Sequence, residues 1–202
     1  MPAHQSKTPK AMSSLTPEFF QSDPVDCARD LIGCHLGWGD CSGRIVETEA
    51  YHAIGDEACH TFMRPSTRQF VDEHKAGDAY VYLNYGVHWL FNIVVKGPEG
   101  DGFVLLRALE PVQGIKAMRQ RRGNFPDKLL MAGPGRLTQA MGIGGEHHGR
   151  SFLECGLGQL EAGSASAVVS GPRIGISKAT ELNWRFGDSG SNCLSRKFPS
   201  VS

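Results

Sequence analysis

The residues best suited to chemistry lie in the stretch RIVETEAY, Arg44 to Tyr51, where Glu47 and Glu49 stand two positions apart and Tyr51 two further on. On a strand, positions i and i+2 share a face, so the two carboxylates would lie about 6.5–7 Å apart along the chain. Ile45 and Tyr51 fall on the same face by that alternation. Such a strand is either solvated or holds a carboxylate against an aromatic wall for chemistry beside a planar ligand. The four tyrosines support such a slot: Tyr51 stands in one run, and Tyr80, Tyr82 and Tyr85 in another. Tyr80 and Tyr82 share a strand face, while Tyr85 precedes Gly86 at a tight corner. Aromatic faces stack on nucleobases at about 1–3 kcal/mol each, and an exposed tyrosine at a hairpin tip can wedge into a duplex.

These residues need elements to hold them. DPVDCARDLIG reads as a helix, with Asp23 as cap, Pro24 in the first turn, helical spacing of Val25, Ala28, Leu31 and Ile32, and Gly33 as stop. TPEFF repeats the Thr16–Pro17 device. CHLGW and RIVETEAY, joined by GDCSG, predict a hairpin. His52 to Asp78 has no clear period and reads as a long loop, a length often kept for function. AYVYLNYG, HWLFNIVV and FVLLRALEP predict three strands, with Tyr85-Gly86 at the tip of a protruding hairpin. Pro111 is expected to end the third and open a basic helix, VQGIKAMRQRRG. GPGRLTQAMGI predicts a helix with Leu137, Ala140 and Met141 on one face. GGEHHGR reads as a turn, and SAVVSGPRIGIS as a final hairpin.

The sum is one α+β domain over residues 16–202, a mixed or antiparallel sheet with surrounding helices, preceded by a disordered tail over residues 1–15. Its 202 residues suffice for one substantial core, and 25 Gly and 11 Pro argue against a helical bundle. No apolar run approaches the roughly 20 residues of a membrane span. The start has no signal-like apolar stretch, so no membrane association and no secretion are expected. The six cysteines, Cys27, Cys34, Cys41, Cys59, Cys155 and Cys193, contain no CxxC pair and read as small reduced side chains rather than a metal site. His147 and His148 lie in a turn and are given no ligand role.

Net charge is zero, but its distribution is uneven. Residues 16–60 hold nine Asp/Glu against two Arg, and residues 107–136 hold seven Lys/Arg against two acids. Residues 171–202 add five Lys/Arg against two acids. One basic face meeting phosphates fits that asymmetry, as does a solvated basic helix.

Taken in order, RIVETEAY, DEACH, AYVYLNYG, the Asn of LFNIVV, VLLRALEP, GPGRLTQAMGI and PRIGIS…WRF resemble the alkyladenine (3-methyladenine, methylpurine) DNA glycosylase family. The blocks span Pro17 to Phe186 in the family's order. The resemblance implies a monofunctional enzyme that flips a damaged purine from duplex DNA and hydrolyses its N-glycosidic bond, initiating base excision repair. It implies Glu49 as the base that deprotonates the attacking water, with Arg107 positioning carboxylate and water. Tyr51 and His60 would sandwich the flipped base, the His60 amide would bond its edge, and Tyr82 would form another wall. Asn92 would crowd out normal guanine, and Tyr85 would be the intercalating wedge. Arg119, Arg121, Arg122, Arg136, Lys178 and Arg185 are candidates for DNA-backbone contact, and Glu47 for a structural contact at the pocket edge.

The expected partner is double-stranded DNA carrying methyladenine, methylguanine, hypoxanthine or ethenoadenine. A monomer without cofactor or metal is expected, in the cytoplasm of a bacterium or the nucleus of a eukaryote. Two departures stand out: Asp72, Glu73 and Asp78 in QFVDEHKAGDAY bring acids toward the tyrosine hairpin, and Val87 replaces a methionine common in the family. A non-catalytic DNA binder would need neither Glu49 nor Arg107. A hydrolase of free nucleosides would need neither Tyr85 nor the basic stretch.

Overall fold

The computed structural model describes residues 13–154 and 156–199. Eight strands build it: β1 (His35–Trp38), β2 (Cys41–His52), β3 (Ala79–Asn84), β4 (His88–Gly97), β5 (Gly100–Gln113), β6 (Gly158–Glu161), β7 (Val168–Gly171) and β8 (Arg185–Asp188). They form one sheet in the order β3-β4-β5-β2-β1-β6, all neighbours antiparallel. β2 is the axis. One edge pairs with β5 along most of its length, while the other takes β1 over Cys41–Arg44 and β8 over Glu47–Glu49; β7 then pairs with β8. The α+β reading therefore holds, with an antiparallel sheet.

One face of the sheet buries the main core. Helix α1 (Pro24–Asp30) lays Cys27 and Ala28 there, followed by Leu31 and Ile32, against Ile45, Ala50, Val104 and Leu106. Asp23 caps α1 as its sequence predicts, accepting from the amides of Val25 at 2.7 Å and Asp26 at 3.3 Å. Gly33 has φ +93°, and a Cβ there would collide with the Ser164 main chain, so glycine alone fits that stop. Helices α4 (Ile115–Arg122) and α6 (Pro134–Met141) pack on each other, with Met118, Leu137, Ala140 and Met141 in the same core. Helix α5 (Asp127–Leu130) links them.

The opposite face is only partly closed. There α2 (His60–Met63) and α3 (Pro65–Glu73) cover one end of the sheet, burying Phe70, Val71 and Cys59 against Tyr80, Val94 and Phe103. A cleft lies beside them.

Several expectations are corrected. Residues 52–78 are not one long loop: Thr67, Phe70 and Val71 give α3 an inward face, too short a pattern to register as a period. Pro111 does not end its strand, because β5 runs on to Gln113 and Pro111 faces Gly43 beside an irregularity in β2. The final hairpin pairs β7 with β8, not with PRIGIS, which is an irregular segment between them. Residues 13–15 belong to the fold: the Leu15 amide bonds Leu160 O at 2.7 Å, and Ser14 bridges Glu161. The rest of the expected tail, and Cys155, lie outside the described residues. Among the described residues no helix is long and apolar enough to cross a membrane.

Candidate active site

The strand that carries the two glutamates is irregular. Pairing of β2 with β5 shifts register between Ile45 and Glu47, and again between Glu47 and Thr48. Such a bulge re-aims side chains. Ile45 therefore points into the main core, unlike the shared face that simple alternation gives it, while Glu47 and Glu49 both point to the cleft side. Thr48 turns the other way and donates to Ala28 O of α1 at 2.7 Å, anchoring the bulge.

Both carboxylates are wholly buried, at 0% exposure, and each is held by a different set of donors. Glu49 Oε2 accepts from Tyr51 Oη at 2.7 Å and Arg107 Nη1 at 3.2 Å, and Oε1 accepts from the Ile174 amide at 2.7 Å. Arg107, on β5, also places Nε 3.3 Å from Glu47 Oε1, so one guanidinium spans the pair. Glu47 further accepts from Arg185 Nε at 2.8 Å and from the hydroxyl and amide of Ser195. Burial lifts the Glu49 carboxyl above its ordinary range although Arg107, the Ile174 amide and Tyr51 favour the charged form. Burial and the neighbouring Glu49 carboxylate push the Tyr51 phenol far up, so it stays a donor. Arg107 remains cationic because Glu49 and Glu47 outweigh the cost of its burial.

The Ile174 amide is placed by a second ion pair. Arg173 forms a forked, fully buried contact with Asp56, at 2.5 and 2.8 Å, and bonds Ala50 O at 3.0 Å. Its guanidinium lies over the rings of Tyr51 and Trp184, 4.6 and 5.1 Å from their centroids. The PRIGIS segment is thus fastened to β2. Arg173, Asp56 and the Ile174 amide were not singled out from the sequence. A main-chain donor leaves no residue-type signature, and the two ionic partners are 117 positions apart.

Above the carboxylates opens a cleft of about 1120 Å³, lined by Tyr51, Cys59, His60, Tyr80, Tyr82, Asn92, Arg107 and Ile174 among others. Strand alternation in β3 delivers Tyr80 and Tyr82 together, as expected, and α2 brings in His60. The His60 and Tyr82 rings meet edge to face at 4.5 Å, and His60 Nδ1 is 3.2 Å from Tyr80 Oη. Burial, with the charge of Arg64 adding to it, drops the His60 imidazole to about 4, so it is neutral near pH 7. Its amide opens α2, a position without an intrahelical acceptor. Asn92 is buried in β4 and donates through Nδ2 to Tyr80 O at 3.1 Å, with the side chain still on the cleft wall. All six expected catalytic and pocket residues therefore line or underlie one cavity.

At the rim, the β3–β4 corner carries Tyr85 at φ +50° and Gly86 at φ +69°, two left-handed residues of the kind a tight hairpin turn requires. Tyr85 is 90% exposed, with Val87 and Leu83 also exposed beside it. Phe62 and Met63 of α2 are exposed and line the cleft with it.

The expected backbone-contacting cations divide. Arg185 is a correction: it is 2% exposed, bound to Glu47 and Arg196 O, and covered by the Phe198 ring, so it presents nothing to phosphates. Arg121 and Arg122 tie α4 to its neighbours through Ala140 O, Leu130 O and Gln139, and Arg119 pairs with Asp127 at 2.8 Å. Arg136 is exposed on α6, and Lys178 lines the cleft mouth with Glu57 3.6 Å away. Arg64, passed over in the sequence, is exposed at the mouth and has no carboxylate partner among the described residues. The acidic stretch stays out of the cleft: Asp72 and Glu73 are exposed on α3, and buried Asp78 accepts from the Lys75 amide.

The cysteines do not gather. Cys27 donates to Phe19 O and Cys34 to Asp30 O, and among the described residues no three His, Cys, Asp or Glu side chains form a metal-holding group.

Comparison with known proteins bears on this geometry. The family model described as methylpurine-DNA glycosylase matches residues 18–192. A protein of Nitrosospira multiformis is 46% identical over 180 residues, covering 89% of this chain and 92% of its own. One from Agrobacterium fabrum is 44% identical over 195 residues, covering 96% and 97%. One from Chlorobaculum tepidum is 41% identical over 195 residues, covering 93% of each. All three bear the name "Putative 3-methyladenine DNA glycosylase".

Proposed function

The chain belongs to the methylpurine-DNA glycosylase family, hydrolases of N-glycosyl bonds in DNA, and from that premise we propose that it flips an alkylated purine into the tyrosine-lined cleft and releases it by Glu49-activated hydrolysis. The observation that carries this reading is the buried Glu49 carboxylate, held from three sides by Arg107, Tyr51 and the Ile174 amide, all three residues of the cleft lining.

Extraction of a base costs a few kcal/mol, least where alkylation has weakened pairing. Tyr85 fills the vacated stack, and its exposure at a projecting corner suits that insertion. The base then stacks among Tyr51, His60 and Tyr82. A cationic methylated purine is favoured there by electron-rich rings, and a neutral imidazole at His60 adds no repulsion. Asn92 stands on the wall where an exocyclic amino group would crowd it. Methylated adenine is the substrate put first; methylguanine, hypoxanthine and ethenoadenine share its planar frame.

As the base departs, the sugar gains oxocarbenium character. Glu49 takes a proton from water attacking C1′, and its negative charge also stabilises the developing cation. A carboxylate lifted by burial is a stronger base than an exposed one, and the Arg107 charge favours its ionised form. Arg107 and Tyr51 fix the orientation of the carboxylate so that its free lone pairs face the reacting carbon.

Purified protein incubated with alkylated duplex DNA in chelator should release methylated adenine and leave an abasic, unbroken strand. Lesion-specific binding with no released base would refute the hydrolytic reading.

A further inference from the structure

Glu47 is used by none of the steps above, yet it is the most heavily bonded carboxylate of the described residues. It accepts from Arg107 Nε at 3.3 Å, Arg185 Nε at 2.8 Å, Ser195 Oγ at 2.8 Å and the Ser195 amide at 2.6 Å. The cluster holds two carboxylates and two guanidiniums, all buried, so its charges balance internally.

A built surface holds the donor segment in place. Residues 193–199 run along β7 and β8, where Gly171 and Gly187 leave room for the Phe198 ring. A Cβ at Gly171 would approach it to 3.1 Å, and one at Gly187 would collide with it. That ring lies 3.9 Å from the Arg185 guanidinium, and Arg185 bonds Arg196 O. Leu194 packs on Val46 and Cys193 beneath the bulge. Chain elements distant in sequence thus converge on a carboxylate that does not reach the cleft itself.

We propose that Glu47, clamped by Ser195 and Arg185, is a positioning residue for the reaction: it holds Arg107 by Nε, so that Nη1 meets Glu49 from a fixed direction. The proposal rests on Glu49 being the base. An arginine with a single carboxylate partner would close onto it fully and draw down its basicity; one shared between two carboxylates orients Glu49 without neutralising it. Groups facing Glu49 are Glu47 and Tyr51 from β2, Arg107 from β5, Tyr82 from β3, Arg185 from β8, and Arg173 with the Ile174 amide from the segment before β8. Of these, Glu47 is the other carboxylate.

The test is single-turnover release of methylated adenine from a lesion duplex, with its pH profile and with Kd for the same duplex. Glu47→Gln should be slowed about tenfold or more with Kd within about twofold. Its acid limb should move to lower pH, because a like charge beside Glu49 is lost and Arg107 is released to it. Ser195→Ala, which keeps every charge and the amide bond, should be slowed about three- to tenfold with Kd unchanged. A merely structural role would lower the melting temperature or affinity and leave the acid limb in place. Wild-type rates with an unmoved acid limb in both variants overturn the proposal while an inactive Glu49→Gln leaves the hydrolytic reading standing. A fully active Glu49→Gln overturns that reading and this proposal together. If Glu47→Gln does not fold, Ser195→Ala alone decides.

Discussion

Glu49 and Glu47 stand two positions apart and differ in the role proposed for each, and the difference comes from their donors rather than their residue type. Glu49 is held by Tyr51, Arg107 and the Ile174 amide, three residues that line the cleft, while Glu47 is held by Arg107, Arg185 and Ser195. The rise in the Glu49 carboxyl has a consequence for stability. A carboxyl raised in the folded state stabilises fully below its unfolded value, near 4.5, and that contribution is lost as pH climbs through the raised value. Glu49→Gln carries no such proton. Its melting temperature relative to the wild type should therefore increase as pH rises above about 4.5, as thermal melts across that rise will show. A difference that stays flat or falls with pH would mean that Arg107 offsets the burial of Glu49 completely.

Elements were legible in the sequence where periodicity or capping is strong. The Asp23–Pro24 start of α1, the tyrosine strand β3 and the Phe103–Glu110 stretch of β5 follow from pattern alone. α3 escaped because three inward residues in nine do not make a period, and β8 escaped because its partner lies across an irregular segment. The bulge in β2 was invisible: alternation places Ile45 with Glu47, and only pairing with β5 reveals the slip. Conformational cost at the hairpin tip makes a separate prediction. Tyrosine at φ +50° is strained, and asparagine tolerates that region better. Tyr85→Asn should melt at or above the wild-type temperature while binding lesion duplex about tenfold more weakly, consistent with the loss of one inserted aromatic. Lower stability in that variant would show that Tyr85 packs against the fold rather than serving DNA.

At the scale of the whole molecule, the carboxylate proposed as the base is set by ionic contacts between distant parts of the chain. Arg173 with Asp56 and Arg185 with Glu47 join positions more than 100 apart, a pairing no local pattern encodes. The excess of cations in residues 171–202 is real in composition, yet two of its arginines are internal struts. Arg185→Ala should therefore lower stability by about 3–5 kcal/mol, the cost of removing one partner of a buried ion pair, and leave the salt dependence of DNA binding unchanged. Arg64→Ala at the cleft mouth should do the reverse, reducing the slope of log Kobs against log salt by about one with little change in melting.

The most direct test of the central claim is single-turnover release of methylated adenine by Glu49→Gln, measured beside its affinity for the same lesion duplex. Loss of the base should slow release by about 10²–10⁴-fold with affinity retained. Release at the wild-type rate with affinity retained would remove Glu49 from the chemistry.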